Sequence, residues 1–171
     1  MKDSPTLIDQ ARFRHVLSHF CSGVIVVTAV DGGAPIGLTC QSFSALSLDP
    51  PLVQFSPSRS STTWPRIRAT GRFAVNILGA HQEGVSRAFA ISGGNKFAGL
   101  LWHPGQHGQP LLDGAVAHVE CRLADVHPGG DHEIAVGSVL DLSTSDDPVD
   151  PLLYFRSQYR RLRPHHLEQE H

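Results

Sequence analysis

Two glycine turns, each set between runs of β-forming residues, do most to limit what this chain can fold into. "GVIVVTAV" is rich in β-branched side chains, stops at Asp31-Gly32-Gly33 and is followed by "PIGLTCQSF". A glycine pair accepts the positive φ angles of a tight hairpin turn, so the two runs are expected to pair antiparallel. Further on, "AVAHVECRLADV" alternates, with Ala117, Val119, Cys121 and Leu123 on one face and His118, Glu120 and Arg122 on the other. It reaches His127-Pro128-Gly129-Gly130-Asp131 and returns as "HEIAVGSVLDL", so one face of this second pair is expected to be wet or to form an interface.

Elsewhere the pattern changes period. Phe13, Val16, Leu17 and Phe20 recur at helical spacing, which predicts an amphipathic helix over residues 6–20, closed near Gly23. Asp49-Pro50-Pro51 sets two residues without an N–H in succession and reads as a corner leading into the strand "LVQF". Ser60 or Ser61 can cap a helix over "TTWPRIRAT", with Pro65 in its first turn and Gly71 at its end. "RFAVNIL" reads as a strand, "HQEGVSRAFAI" as a short helix stopped by Gly93-Gly94, and "PLLYFRSQY" as one final strand before a polar tail. Six or seven antiparallel strands with a few short helices on the rim make a mostly β class, expected to form a small closed or partly split barrel. No linker interrupts the pattern, so residues 1–171 read as a single domain.

With 171 residues, 40% hydrophobic and 18% charged, the chain can bury a sizeable core, which excludes disordered and fibrous classes. A net charge of −2 without long like-charge blocks argues against a nucleic-acid partner but leaves room for a local basic pocket for a small anion. No apolar run approaches the roughly 20 residues that span a bilayer, and "MKDSPTLIDQARFRH" lacks the order of a signal peptide, so no membrane partner and a cytoplasmic location are expected. Cys21, Cys40 and Cys121 are widely spaced with no C-x-x-C, and are expected to be reduced and mostly buried. His103 and His107 sit four apart, but Pro104 and Gly105 forbid the helix that would aim both at one ion, so no metal is expected. Glycine-rich dinucleotide, P-loop, zinc-protease and nucleophile-elbow motifs are all missing.

Five blocks, in order, carry a resemblance: "GLTCQSFSALSLDPPLVQF", "SSTTWPRIRATGRFAVNIL", "NKFAGLLWHPG", "GGDHEIAVGSVL" and "PLLYFRSQYRRL". Together they resemble the flavin reductase family, and most of all the reductase components of two-component aromatic and steroid-ring monooxygenases, over residues 13–162. The resemblance implies an antiparallel split β-barrel that forms a homodimer and binds FMN or FAD. It also implies hydride transfer from NADH or NADPH to that flavin, whose reduced form diffuses to a flavin-dependent monooxygenase. The cofactors carry the reactive atoms in such a reaction, which suits a sequence with no catalytic triad or carboxylate pair. Two other readings stay open: a flavin- or haem-binding split-barrel module without reductase activity, and a related flavin-dependent oxidase acting directly on a small substrate.

By the same resemblance Thr39, Cys40, Gln41, Ser42, Phe43, Ser44, Ala45, Ser47 and Leu48 would line the flavin. Small hydroxyls and amides suit a polar ribityl chain, while a polar turn with self-satisfied hydroxyls is the plain alternative. Arg59, Ser61, Thr62, Thr63 and Trp64 form a second group, where a helix start would suit a phosphate and an N-cap followed by a core tryptophan is the alternative. Lys96 and Phe97 form a third, with Lys96 able to meet phosphate or simply to face solvent. On the nicotinamide side the resemblance places His132 as the catalytic-site histidine, with Tyr154, Phe155, Arg156 and Tyr159 for stacking and a phosphate contact. A final strand packing its own aromatics is the alternative there.

Overall fold

The computed structural model describes residues 8–145 and 149–162. Helix α1 (Gln10–Leu17) starts where the Asp9 carboxylate accepts the N–H groups of Ala11 and Arg12, at 3.3 and 2.9 Å. Its apolar side chains share a side as expected, yet none is buried: Phe13, Val16 and Leu17 are 53–56% exposed and the following Phe20 is 82% exposed. The first part of the expected helix, up to residue 7, lies outside the described residues.

After the short β1 (Ser22–Gly23), β2 (Ile25–Asp31) and β3 (Ala34–Cys40) pair antiparallel from Ile25↔Cys40 to Asp31↔Ala34. Gly32 and Gly33 both have positive φ, 59° and 81°, the geometry that matches the twist of the flanking strands. The double proline is not a free corner. Asp49 and Pro50 form the turn of a hairpin between β4 (Ser44–Leu48) and β5 (Pro51–Phe55), and Pro51 is tolerated as the first residue of its strand. Helix α2 (Trp64–Thr70) ends at Gly71 in the left-handed region, φ 68°, and leads into β6 (Arg72–Ile77). Helix α3 (Glu83–Ala90) and a two-stranded ribbon, β7 (Trp102–Pro104) with β8 (Pro110–Leu112), precede the long hairpin of β9 (Ala117–Gly129) and β10 (His132–Thr144).

The expected final strand is two strands, β11 (Leu153–Phe155) and β12 (Gln158–Arg160). Their turn puts the non-glycine residues Arg156 and Ser157 at φ 51° and 60°, and the Arg156 N–H donates to the Ser18 carbonyl at 2.8 Å, tying the turn to the end of α1. Seven strands form the main sheet in the order β3-β2-β6-β9-β10-β5-β4. The fold is thus mostly β with short helices, and among the described residues no ladder joins β3 to β4.

The β2 run lacks clean alternation because both of its faces are covered. Ile25, Val27 and Ala29 join one core with Leu38, Val53, Phe55, Trp64 and Phe73, so that β3 and β5, far apart in the sheet order, share a cluster and the sheet must curl. Phe55 stands edge-to-face with both Trp64 and Phe73, at 5.4 and 5.3 Å between ring centres. Val24 and Val26 join a second core with Leu78, Phe89, Phe97, Leu112 and Leu152 on the opposite side. Of the expected polar face of β9, Glu120 is buried instead of wet. The loop between β7 and β8 covers it, and its carboxylate accepts the His107 N–H at 3.1 Å and the Gln109 N–H at 3.4 Å.

Candidate active site

One end of the curled sheet opens into a groove of about 590 Å³, within the roughly 300–1,000 Å³ range of small-molecule sites. Its walls come from the end of β3, residues 56–61 after β5, the end of α3, the start of β10, and the β11–β12 hairpin. The β3 wall presents Thr39, Cys40, Gln41 and Ser42. Thr39 Oγ1 donates to the Ser86 carbonyl at 2.6 Å, so its lone pairs remain for a donor. Ser42 Oγ accepts the Ser56 N–H at 2.7 Å and lies 3.2 Å from the Ser56 carbonyl, a clasp between the segment that follows β3 and the end of β5. Cys40 Sγ sits 3.0 Å from the same hydroxyl. The Gln41 amide is exposed and takes no side-chain hydrogen bond from the described residues.

The opposite wall is a serine-rich loop. Ser58 and Ser60 hydroxyls are 2.8 Å apart, while Ser61 Oγ accepts the N–H groups of Thr63 and Trp64 at 3.3 and 3.1 Å and so caps α2. The expected free helix start is therefore already filled by the chain's own hydroxyl. Lys96 closes one end of the groove. Its Nζ donates to the carbonyls of Gly37 and Phe89, each at 3.1 Å, and among the described residues no carboxylate lies within ion-pair distance. Partial burial without a counter-ion pushes its pKa below the usual lysine value.

His132 projects from the start of β10, held there by the Ser58↔His132 bridge and by the Glu133 N–H donating to the Pro57 carbonyl at 3.0 Å. Its Nδ1 is 2.8 Å from Asp131 Oδ1, leaving Nε2 without a protein partner among the described residues. The hydrogen bond and charge of His132 hold the Asp131 carboxyl below its ordinary range. Tyr154 and Tyr159 form the aromatic side, edge-to-face at 5.2 Å. The Tyr159 hydroxyl is 2.9 Å from Ser86 Oγ, and the Arg87 guanidinium lies 4.9 Å over the Tyr159 ring. Helix α3 thereby touches three walls, through Ser86 to Thr39 and Tyr159 and through Phe89 to Lys96.

Of the residues singled out in the sequence, the groove gathers Thr39, Cys40, Gln41, Ser42, Ser61, Thr63, Lys96, His132, Tyr154 and Tyr159. Others lie elsewhere. Phe43 packs on the first core, and Ser44, Ala45, Ser47 and Leu48 belong to the edge strand β4. Trp64 is core, its indole N–H donating to Glu133 Oε2 at 2.6 Å, and Phe97 is stacked edge-to-face between Phe89 and Trp102. Arg59 is exposed and meets Asp131 through its backbone N–H. Phe155 and Arg156 border a separate basic hollow with Arg160 and Arg161. Thr62 opens onto a second cavity. Sequence reasoning missed Ser56, Ser58 and Ser60, whose density in residues 56–61 was a usable signal, and Ile91 and Ser92, which had none. No group of three potential metal ligands occurs among the described residues.

The groove, with hydroxyls, an ammonium that no carboxylate answers among the described residues, a histidine and two tyrosines, suits a large, flat, anionic ligand. Comparison with known proteins decides the family, because the pattern of the flavin reductase like domain matches residues 17–163. The chain belongs to the flavin reductase family. It is accordingly an oxidoreductase that reduces flavin with a nicotinamide nucleotide and serves a monooxygenase system. A reductase subunit of a flavin-dependent monooxygenase, HsaB from Rhodococcus jostii, is 45% identical over 157 residues, covering 92% of this chain and 80% of the relative. The crystal structure of a nitrilotriacetate monooxygenase component B homologue from Mycobacterium thermoresistibile superposes with a TM-score of 0.89 at 48% identity, covering 91% of this chain and 88% of that one. An NADH:FAD oxidoreductase from Streptomyces globisporus, solved in complex with NAD and FAD fragments, gives 0.86 at 36% identity, covering 94% and 99%.

Proposed function

We propose that this groove is where flavin and reduced nicotinamide meet, and that the observation carrying the assignment is Lys96. A part-buried ammonium whose partners among the described residues are two carbonyl oxygens has room for one more acceptor, and an anionic phosphate satisfies it best. When bound, the two cofactors supply the hydride donor and acceptor atoms themselves. Lys96 holds the flavin phosphate, with Ser58 and Ser60 as neutral donors beside it. Thr39, Gln41 and Ser42 line the ring and ribityl chain along β3. His132, fixed by Asp131, orients the nicotinamide through Nε2, and Tyr154 and Tyr159 shield the stack from water.

The contacts available to the flavin are mostly neutral hydrogen bonds, each contributing about 0.5–1.5 kcal/mol against water, so affinity is moderate and reduced flavin leaves through solution to the monooxygenase. The curled sheet and the Ser42–Ser56 clasp support a split-barrel architecture. The uncovered apolar side of α1, with Phe13, Val16 and Leu17, supports a homodimer that buries it. Three cysteines without a disulfide among the described residues suit a reducing compartment, the cytoplasm. The deciding experiment mixes purified protein with NADH or NADPH and FMN or FAD and follows nicotinamide absorbance. A second compartment behind a dialysis membrane holds the monooxygenase. Flavin-dependent oxidation with hydroxylation across the membrane is expected; no oxidation with any pair defeats the reading, and oxidation without transfer defeats the diffusible flavin.

A further inference from the structure

A second cavity of about 300 Å³ adjoins the groove, and the two share Thr63 and Lys96 in their walls. Lys96 therefore belongs to the wall that the two cavities have in common. Two of its three N–H donors are occupied by Gly37 and Phe89 carbonyls, and no carboxylate answers the charge among the described residues. A ligand that fills both cavities passes Lys96 and is best matched there by negative charge.

We infer that the second cavity is an adenosine subsite, so that this reductase takes FAD in preference to FMN, with the pyrophosphate at Lys96 and the adenosine beyond it. This rests on the assignment of the groove to flavin. FMN would end at Lys96 and leave the second cavity to water. The cavity walls suit a purine nucleoside. Pro35, Ile36 and Phe97 supply apolar surface. The Arg66 guanidinium is held by Asp31 at 2.7 Å, which fixes its plane for stacking on a base. The Thr62 hydroxyl offers a partner for a ribose. Gly93 and Gly94, at φ 78° and 73°, border the cavity with bare backbone, and a side chain there would be strained, so the approach to the loop stays open.

The test is calorimetric binding of FMN, FAD and ADP to the full chain stripped of flavin, with Thr62→Trp to fill the second cavity and Arg66→Ala to remove the stacking plane. The wild type is expected to bind FAD about tenfold or more tighter than FMN, and ADP to displace FAD. Thr62→Trp should erase that preference, bringing FAD down to the FMN level, and Arg66→Ala should reduce it. If the wild type binds neither flavin, the assignment of the groove itself fails. If it binds both equally and ADP does not compete, the groove stands and the adenosine subsite is overturned. If Thr62→Trp raises the nicotinamide nucleotide KM while leaving FAD affinity intact, the cavity belongs to the other dinucleotide and the inference is likewise overturned.

Discussion

Replacing Lys96 with Met removes the ammonium while keeping a long apolar stem, and the geometry says what should follow. A charge-assisted hydrogen bond contributes about 1.5–3 kcal/mol, so FMN affinity should fall about 10- to 150-fold. Riboflavin, which has no phosphate, should bind the variant almost as well as it binds the wild type. The flavin-free variant should lose little stability, because a part-buried charge disappears together with its two carbonyl contacts. A pH dependence goes with this. Burial lowers the Lys96 pKa below 10.5, so the unfolded chain keeps this proton to higher pH than the folded one. The charged lysine therefore weighs against the free fold at neutral pH, and that penalty is relieved as pH rises from the lowered pKa toward 10.5. Phosphate-dependent affinity moves the opposite way, falling over the same window as the ammonium deprotonates. Fluorescence titration of FMN and riboflavin into both proteins, at neutral pH and again above pH 9, reads the affinities, and urea unfolding of the flavin-free proteins at the same pH values reads the stabilities. Equal losses for FMN and riboflavin in Lys96→Met would refute the phosphate assignment, since the side chain would then be acting through the shape of the groove.

Three further outcomes are expected. His132→Ala should raise the nicotinamide KM by about 5- to 150-fold, as one lost contact of 1–3 kcal/mol does, with a much smaller change in flavin Kd; the reverse pattern in steady-state kinetics and titration would move His132 to the flavin wall. Glu120→Gln places an amide where a buried carboxylate accepts backbone N–H groups, so urea unfolding should report about 1–3 kcal/mol lost, with flavin Kd unchanged because Glu120 does not line the groove. Asp at both Phe13 and Val16 should convert a dimer to monomers in sedimentation velocity; a wild-type monomer, or a variant that stays dimeric, would remove α1 from the interface.

Local chemistry made some of this fold readable in advance. The Asp31-Gly32-Gly33 hairpin was legible because only glycine takes two positive φ angles cheaply, and Gly71 ended α2 for the same reason. The turn of β11–β12 was invisible because Arg156 and Ser157 adopt those angles without any such signature, held by a carbonyl from α1 that lies far away in sequence. The site divides along the same line. Thr39 to Ser42, Lys96 and His132 sit beside turns or strand ends where polar residues are conspicuous, and they converge on the groove. Trp64 and Phe97 were drawn in by adjacency, but facing direction is fixed by packing, and packing turned them into the two cores. Glu120 looked wet because the ribbon that covers it is built from residues 102–112, and no pattern within β9 announces a lid.

Helix α3 has only eight residues, yet it holds one point on each of three groove walls. A body pinned at three points cannot rock toward one of them without pulling on the other two. Thr39, Lys96 and Tyr159 are thereby tied to one short helix, which on the proposed assignment links the ring, phosphate and nucleotide ends of the groove. Those three contacts make α3 a shared support for the groove walls.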